Sequence, residues 1–409
     1  MQPEPTIDLT KPAAAPSLWL LDPDMVFLNH GSFGSCPGPV LEFQERIRQR
    51  MERQPVRFFV RDLEGLLDEA RSALGQFVGA APADLVFVPN ATAGINAVLR
   101  SLQFGPGDEL LTTNHAYNAC LNALRFVAER SGARVTVATI PFPVSDTTAV
   151  TEAVLSAVTP RTRLALLDHI TSPTGLIFPI EQLVAELTAR GIDTLVDGAH
   201  APGMVPVDLR QLGAAYYTGN CHKWLCAPKG AGFLYVRPDR QHLIRPLAIS
   251  HGANSPRTDR SRFQLEFGWT GTVDPSAWLT VPEALRFMGS LLPGGWPELM
   301  QRNAALARAA RRKLCDALGR PLPCPDEMMG ALAAVPIWDA AEAGPPKSPL
   351  YQDPLHDWLW DQHRIEVPII PWPAPPRRLV RVSAQLYNCL GQYERLAQVL
   401  AQAAQQRRL

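Results

Sequence analysis

The sequence lacks any long hydrophobic run. None of its apolar stretches approaches the roughly 18 residues that a membrane-spanning helix needs. Its first twenty residues also lack the basic start and apolar core of a secretory signal. The charge is balanced, with 39 basic and 39 acidic residues among 409. We therefore expect a cytoplasmic protein that has neither a membrane nor a nucleic acid as its partner.

Cysteine is scarce and irregularly placed. Seven cysteines are an odd number, and their spacing matches neither a disulfide framework nor a zinc site. This pattern favours a reducing compartment, and we expect no metal. Apolar residues make up 46% of the chain and charged residues 19%, which is ordinary for a soluble enzyme.

Strand-like and helix-like segments alternate through the first part of the chain. Short apolar runs that suit buried strands occur at 85–88, 109–113, 162–168 and 193–197, and helical patterns separate them. Alternation of this kind predicts an α/β fold with a mostly parallel sheet. We expect an N-terminal arm at 1–35 that belongs to the small domain and active site, a large α/β domain at 36–290 and a smaller α+β domain at 291–409.

Polar and ionisable residues follow two of the short apolar runs. Asp197 ends one run, and Lys223 comes shortly after the run at 214–217. Because reactive groups gather at the carboxyl ends of parallel strands, these two residues are expected to meet in one pocket. Other strand ends would add Thr92, Tyr117, Ser172 and His200.

This assortment fits pyridoxal 5′-phosphate. The cofactor needs an amine for covalent attachment, an anion beside its pyridine nitrogen, a flat partner for its ring, and hydrogen-bond donors for its phenolic oxygen and phosphate. Lys223 would be the amine and Asp197 the anion. The turn at 89–94 leads into a helix and suits an anion, although it matches neither the Walker pattern nor G-x-G-x-x-G.

Six motifs, spread in order over most of the chain, resemble those of the class V aminotransferase family of fold type I pyridoxal phosphate enzymes. They are Asn-His-Gly-Ser-Phe-Gly at 29–34, Asn-Ala-Thr at 90–92, His-Ile-Thr-Ser-Pro-Thr-Gly at 169–175, Asp-Gly-Ala-His at 197–200, Gly-Asn-Cys-His-Lys-Trp at 219–224 and Trp-Thr-Gly-Thr at 269–272. Within the family, the set is most similar to the isopenicillin N epimerase-like branch. The resemblance implies the aspartate aminotransferase-like fold.

The resemblance also implies a role for each matching position. Lys223 would bond to the cofactor, Asp197 would pair with the pyridine nitrogen, and Tyr117 would stack on the ring. Ser172 and His200 would lie near the phenolic oxygen. The residues implied for the phosphate are Ala91, Thr92, Asn220, His222 and, from the neighbouring subunit of a homodimer, Thr272.

The implied substrate is a small amino acid-type molecule. Asn29 and His30 would line its side of the pocket. Arg381 would hold its carboxylate, a task that suits the two-pronged guanidinium group.

Several assignments have rivals. Asp197 and Lys223 could form a structural ion pair, and Lys229 is a second candidate for the cofactor lysine. His115 competes with Tyr117 for the ring, and Thr270 competes with Thr272. Arg381 could be a surface residue beside Arg377 and Arg378, and His200 an ordinary histidine at a helix start.

Cofactor identity does not fix the reaction. Cysteine desulfurases carry a cysteine shortly before the arginine that binds the carboxylate, but the segment 363–376 has none, and Cys324 and Cys389 lie too early and too late. A persulfide mechanism is therefore disfavoured, whereas other C–S lyases and aminotransferases stay open. The resemblance favours epimerisation at Cα, with Lys223 as one base and Tyr117, His30 or a water as the other. A non-catalytic regulator is the alternative from another class.

Overall fold

A computed structural model of the protein describes residues 7–340 and 353–405. The α-helices of these residues are α1 (His30–Phe33), α2 (Gly38–Arg53), α3 (Pro55–Arg57), α4 (Leu63–Val78), α5 (Ala91–Ser101), α6 (Asn118–Ser131), α7 (Thr147–Ser156), α8 (Ile180–Ala189), α9 (Leu209–Leu212), α10 (Arg262–Gly268), α11 (Ser276–Leu279), α12 (Val281–Gly289), α13 (Gly295–Leu318), α14 (Pro354–His363) and α15 (Leu390–Gln405). The strands are β1 (Val26–Phe27), β2 (Leu85–Val88), β3 (Glu109–Thr113), β4 (Arg134–Ala138), β5 (Thr162–Asp168), β6 (Asp193–Gly198), β7 (Tyr216–Asn220), β8 (Gly232–Val236), β9 (Leu332–Pro336), β10 (Ile365–Glu366), β11 (Ile369–Pro371) and β12 (Arg378–Ser383).

A seven-stranded sheet forms the centre of the fold, in the order β2-β8-β7-β6-β5-β3-β4. Strands β4, β3, β5, β6 and β7 pair in parallel, and β8 runs antiparallel to both β7 and β2. Every residue of β2, β3, β7 and β8 is buried. Because helices cover both faces, these strands are continuously buried, with no alternation between buried and exposed residues. The predicted α/β fold with a mostly parallel sheet is confirmed.

The register of this sheet brings several predicted residues to one edge. Asp168 at the end of β5 lies opposite Asp197 on β6, and Asp197 lies opposite Thr218 on β7. The chain then leaves β7 toward Lys223. The carboxyl ends of three adjacent strands therefore supply one side of a common pocket.

A second sheet has three antiparallel strands in the order β11-β12-β9. Helices α13 and α15 pack on each other, and α13 also packs on β9. The N-terminal arm joins this part of the protein, since β1 pairs in parallel with β10 and the Ser383 amide donates to the Leu28 carbonyl. Asn29 and His30 are thereby carried toward Arg381 on β12. The domain boundaries at 35/36 and 290/291 remain predictions.

The helical patterns of the sequence predict one helix over 275–291 and another over 351–363, and the structure differs from both. Residues 275–291 form two helices, α11 and α12, with Thr280 between them and Pro282 in the first turn of the second. Proline lacks the amide hydrogen that a continuous helix needs, which explains the division. The helix expected over 351–363 starts at Pro354, and residues 351–352 lie outside the described residues.

Within residues 7–340 and 353–405, no helix combines the length and the apolar character that crossing a bilayer requires. The same residues contain no group of three histidine, cysteine or acidic side chains arranged to hold a metal ion.

Candidate active site

The amine of Lys223 lies in the turn after β7. Its Nζ atom is 3.0 Å from His200 Nε2. Burial and then the nearby positive charge of Arg381 lower the pKa of this amine to about 7, while Asp197 opposes the shift. A substantial fraction of Lys223 is therefore uncharged near neutral pH, so the amine can act as a nucleophile or a base.

His200 follows β6 and is buried. Its Nδ1 atom accepts a hydrogen bond from the indole of Trp224, at 3.3 Å. Burial, followed by the charge of Lys223, holds the pKa of His200 well below its usual range. The ring is therefore a neutral imidazole with both nitrogens in use, and it lies beside the reactive amine rather than at an isolated helix start.

Asp197 is buried at the end of β6. Its carboxylate accepts the Ala199 amide at 3.0 Å and the thiol of Cys120 at 3.1 Å. Since Lys223 meets His200 instead, the direct ion pair between Asp197 and Lys223 does not form in the described part of the chain. Asp197 is thus a supported carboxylate, as a partner for a pyridine nitrogen must be.

Asp168 and Cys120 were not among the predicted site residues. Burial, together with the charge of Asp197, raises the pKa of Asp168 well above its usual range, and its carboxyl accepts the Tyr117 backbone amide. Burial also raises the pKa of the Cys120 thiol. The sequence did contain one signal for Asp168, since the run at 162–168 ends in an acid just as the run at 193–197 does.

The two candidates for the ring partner occupy different surroundings. Tyr117 is 39% exposed at the start of α6. His115 is buried, with Nδ1 2.8 Å from Thr174 Oγ1 and Nε2 3.1 Å from the Ile140 carbonyl. Its ring packs on Trp372, with centroids 4.4 Å apart. Because His115 is enclosed and fully engaged, the geometry favours Tyr117.

The turn before α5 lies beside β7. The Asn90 side chain accepts the Ala93 amide at 2.9 Å, and the Ala91 amide donates to Asn220 Oδ1 at 2.8 Å. Asn220 therefore fixes this turn in place. Gly94 is required here, because a Cβ atom would lie 2.3 Å from Thr218 Oγ1. The N-terminus of α5, with Thr92 in its first turn, therefore offers a favourable position for an anion.

His222 lies two residues beyond the end of β7. Its Nδ1 atom is 2.9 Å from the Ala231 carbonyl. The neutral ring must donate from Nδ1 there, which leaves Nε2 as an acceptor. Burial lowers the pKa of His222 to about 4. The predicted contact with a phosphate therefore requires that this ring take up a proton.

Arg377 is exposed. Arg381, by contrast, is buried on β12, which contradicts the alternative that it is a surface residue. Its guanidinium donates to the Ser172 carbonyl at 2.5 Å and hydroxyl at 3.2 Å, and to Ser32 Oγ at 2.9 Å. Ser172 therefore lies against the arginine. These contacts orient a buried cation close to Lys223, whose pKa it lowers.

The residues of the N-terminal arm are held by hydrogen bonds. Asn29 Nδ2 donates to Glu366 Oε1 at 2.6 Å, and Asn29 Oδ1 accepts from Ser32 Oγ at 2.5 Å. His30 is buried, with Nδ1 2.9 Å from the Tyr387 hydroxyl and Nε2 3.0 Å from the Lys223 carbonyl. His30 therefore supports the backbone of Lys223, and its expected place on the substrate side stays a prediction.

The remaining candidates lie further out. Lys229 Nζ donates to the Gly34 carbonyl at 2.9 Å, so this rival lysine ties the arm to the turn instead of meeting His200. Thr270 and Thr272 lie on the loop after α10, where Thr270 is half-buried and Thr272 is exposed. Thr272 is thus the more exposed of the two threonines, and its contact with a neighbouring subunit stays a prediction.

The donor set fits pyridoxal phosphate. It combines the buried Lys223 amine, whose pKa is about 7, with the hydrogen-bonded carboxylate of Asp197. The exposed Tyr117 ring and the N-terminus of α5 lie at the same carboxyl edge of the sheet. Arg381 adds a cation for a substrate carboxylate.

Comparisons with known proteins agree with this fit. The family model described as Aminotransferase class-V matches residues 52–324. The isopenicillin N epimerase of Streptomyces clavuligerus is 36% identical, over 93% of this chain and 95% of its own length. A probable chloroplastic L-cysteine desulfhydrase of Arabidopsis thaliana is 32% identical, over 92% of this chain and 82% of its own.

Solved structures share the fold. The cystine C–S lyase C-DES, in complex with cysteine persulfide, matches with a TM-score of 0.76 at 22% identity, over 93% of this chain and 98% of that one. The cysteine desulfurase CsdA of Escherichia coli matches with a TM-score of 0.74 at 20% identity, over 96% and 98% of the two chains. With its matched motifs, sheet and pocket, the protein belongs to the class-V aminotransferase family, the fold type I enzymes that use pyridoxal 5′-phosphate.

Proposed function

We propose that this enzyme removes and returns the Cα proton of an amino acid or aminoacyl substrate, and that it is an epimerase. The observation that carries the proposal is the Lys223 amine, whose pKa of about 7 and position 3.0 Å from His200 Nε2 suit a base that works near neutral pH. The similarity to isopenicillin N epimerases supports the choice of reaction.

Lys223 has two tasks in this proposal. Its amine would hold the cofactor covalently, and the same amine would take up and return the proton at Cα. The cofactor, when bound, supplies an electron sink for the charge that Cα carries after losing its proton. Asp197 would place its carboxylate beside the pyridine nitrogen, and the Ala199 amide and the Cys120 thiol orient that carboxylate.

Other residues would hold the cofactor in place. Tyr117 would cover the ring, and His200 would donate to the phenolic oxygen with Ser172 nearby. The phosphate would lie at the start of α5, held by Thr92, Asn220 and His222, whereas the expected Ala91 amide is already engaged with Asn220 Oδ1. The contact from Asn220 to Ala91 supports this arrangement, because it fixes the turn that the phosphate would occupy.

Epimerisation also needs a proton donor on the second face of Cα. His30 is poorly suited, because both of its ring nitrogens are engaged and burial lowers its pKa to about 3. Tyr117 is exposed and lies at the same strand edge as Lys223. We therefore propose that the Tyr117 hydroxyl, or a water that it orients, serves this face.

The substrate would be held by its carboxylate. Arg381 presents a buried guanidinium that Ser172 and Ser32 orient. Asn29 is linked to the same hydroxyl of Ser32, so it would shape this side of the pocket indirectly. An α-carboxylate is the ligand that a buried, oriented arginine recognises best.

A C–S lyase is the second candidate function, and the similarity to L-cysteine desulfhydrases supports it. The persulfide route lacks support here. Cys120 contacts Asp197, and its buried thiol donates to that carboxylate while burial raises its pKa, so it is a poor nucleophile. A lyase would therefore have to eliminate the sulfur group of the substrate without a cysteine nucleophile.

We further propose that the enzyme is a cytoplasmic homodimer. The exposed Thr272 on its loop supports a contact with the phosphate of the neighbouring subunit. The unpaired state of all seven cysteines supports a reducing compartment. Light scattering would measure the subunit number, and Thr272→Ala should weaken cofactor binding in the dimer.

One experiment separates the two reactions. The holoenzyme is incubated in heavy water with isopenicillin N, with L-cysteine and with a panel of L-amino acids, and three products are measured: deuterium at Cα, inverted configuration and released sulfide. Deuterated and inverted product is the expected result. Sulfide without inversion would establish the lyase, and no exchange with any compound would refute action at Cα.

A further inference from the structure

We propose that Trp224 is a positioning residue that fixes the tautomer of His200. In this arrangement, the Nε2 atom of His200 carries the hydrogen and directs it at Lys223. The inference about the tautomer stands on geometry alone. Its consequence for the reaction rests on the proposed function.

The argument begins with the hydrogen-bonding capacity of indole. The Nε1–H group of a tryptophan donates and cannot accept. Trp224 Nε1 lies 3.3 Å from His200 Nδ1, and both side chains are buried. Nδ1 must therefore present its lone pair to Trp224, which places the single hydrogen of the neutral ring on Nε2.

The indole cannot turn away easily. Its ring lies 5.0 Å from that of His30 at an angle of 53°, and it packs in an apolar cluster with Ile170, Ala201 and Met204. His30 is itself fixed by Tyr387 and by the Lys223 carbonyl. The donor direction of Trp224 is thus set by the surrounding structure.

The charges around His200 favour the neutral ring. The groups that face it are Lys223, Arg381 and His30, and each of them lowers its pKa, as burial does. A neutral imidazole with its hydrogen on Nε2 can donate to the lone pair of an uncharged Lys223 amine at 3.0 Å. The opposite tautomer would turn the lone pair of His200 Nε2 toward that amine. It would also leave two N–H donors, His200 Nδ1–H and Trp224 Nε1–H, facing each other.

The tautomer of His200 matters for the reaction because the hydrogen on Nε2 can be donated to the cofactor. With Lys223 bonded to the cofactor, His200 Nε2–H would be the donor available for the phenolic oxygen. Trp224 would then keep this donor in place through the whole cycle, without touching substrate or cofactor itself. Loss of the indole N–H should leave His200 free to populate both tautomers.

The first test needs no cofactor, and it uses a variant only to assign the signals of His200. The two ring nitrogens of a neutral histidine differ clearly in ¹⁵N chemical shift according to which carries hydrogen. In cofactor-free protein with ¹⁵N-labelled histidine, the signals that disappear in His200→Gln are assigned to His200. We expect hydrogen on Nε2 only. Hydrogen on Nδ1, or a charged ring, would overturn the inference even if the proposed function is correct.

The second test uses a double-mutant cycle in the holoenzyme. The pH midpoint of the visible absorption change of the bound cofactor is measured for Trp224→Phe, His200→Gln and the double variant. Glutamine donates through an amide and has no tautomers, so Trp224→Phe should shift the midpoint by roughly half to one unit in the wild-type background and not in His200→Gln. Equal shifts in both backgrounds would overturn the inference.

A matched control removes the general effect of losing a tryptophan. Trp296 also donates its indole hydrogen, to the Leu285 carbonyl at 3.0 Å, and it lies outside the site. Trp296→Phe should leave the midpoint unchanged. A protein that binds no cofactor would defeat the proposed function while the ¹⁵N result still decides the tautomer.

Discussion

Asp168 and Asp197 lie opposite each other on neighbouring parallel strands, and both side chains are buried. Two carboxylates this close cannot both ionise at little cost. Burial and the charge of Asp197 raise the pKa of Asp168, so Asp168 is the protonated partner. The site therefore carries one negative charge at this edge of the sheet, on Asp197, whose carboxylate accepts from the Ala199 amide and the Cys120 thiol.

Substitution by asparagine should separate the two acids. Asp168→Asn replaces a neutral acid by a neutral amide and should change cofactor affinity little. Asp197→Asn removes the charge and should weaken cofactor binding by roughly tenfold to a hundredfold, since hydrogen bonds to charged groups are worth about 1.5–3 kcal/mol. Equilibrium titration with pyridoxal phosphate measures both. Equal losses would show that Asp168 is charged as well.

The amine of Lys223 should affect stability as a function of pH. Its pKa is about 7 in the folded protein against an ordinary 10.5. Between these values the unfolded chain holds a proton that the folded protein does not, so this group makes stability rise with pH, by at most about 1.4 kcal/mol per unit. Below about pH 7 the Lys223 amine is charged in both the folded and the unfolded chain, so the full cost of burying that charge is subtracted from the free energy of unfolding.

Lys223→Met is the variant for this measurement, because methionine fills similar space without charge. Denaturant unfolding of the cofactor-free proteins is compared at several pH values. Wild type should gain stability relative to the variant as the pH rises from about 7 toward 10.5. A flat or falling difference would mean that the amine is not buried as described.

Two tyrosines distinguish the second proton donor from a structural support. Tyr387 donates to His30 and should matter for folding, so Tyr387→Phe should cost about 1 kcal/mol of stability and keep Cα exchange. Tyr117→Phe should keep stability and lose inversion, because Lys223 alone can return the proton to only one face of Cα. Calorimetry and chiral product analysis measure the two effects. Inversion that depends on Tyr387 and not on Tyr117 would reverse the assignment.

Arg381 should control substrate affinity. Arg381→Lys keeps the charge but loses the planar pair of donors, so KM for amino acids should rise by roughly tenfold to a hundredfold with a smaller change in kcat. The exposed Arg377 supplies the control, and Arg377→Lys should leave both constants unchanged. An unchanged KM in Arg381→Lys would show that the carboxylate binds elsewhere.

The sequence predicted the central sheet because its strands are buried on both faces. Residues 109–113 and 162–168 were expected as strands and correspond to β3 and β5 with the same bounds. Polar residues at such strand ends indicate a pocket from the pattern alone. The order of the strands could not be predicted, because it depends on how the crossovers pack.

Side-chain direction was the part that the sequence could not supply. His30 lies within a matching motif, yet its ring turns toward Tyr387 and the Lys223 carbonyl. Cys120 reads as one more buried position of α6, and its contact with Asp197 arises only when that helix packs on the sheet. Such contacts join residues 77 to 357 positions apart, which local patterns do not encode.

The attachment of the cofactor to Lys223 is the central claim, and borohydride reduction followed by tryptic mass mapping tests it most directly. Reduction makes the bond permanent, and trypsin does not cleave after a modified lysine. We predict a pyridoxyl-modified peptide covering residues 211–229, absent from Lys223→Ala. A modified peptide covering residues 224–240 would place the cofactor on Lys229 instead, and it would contradict the account.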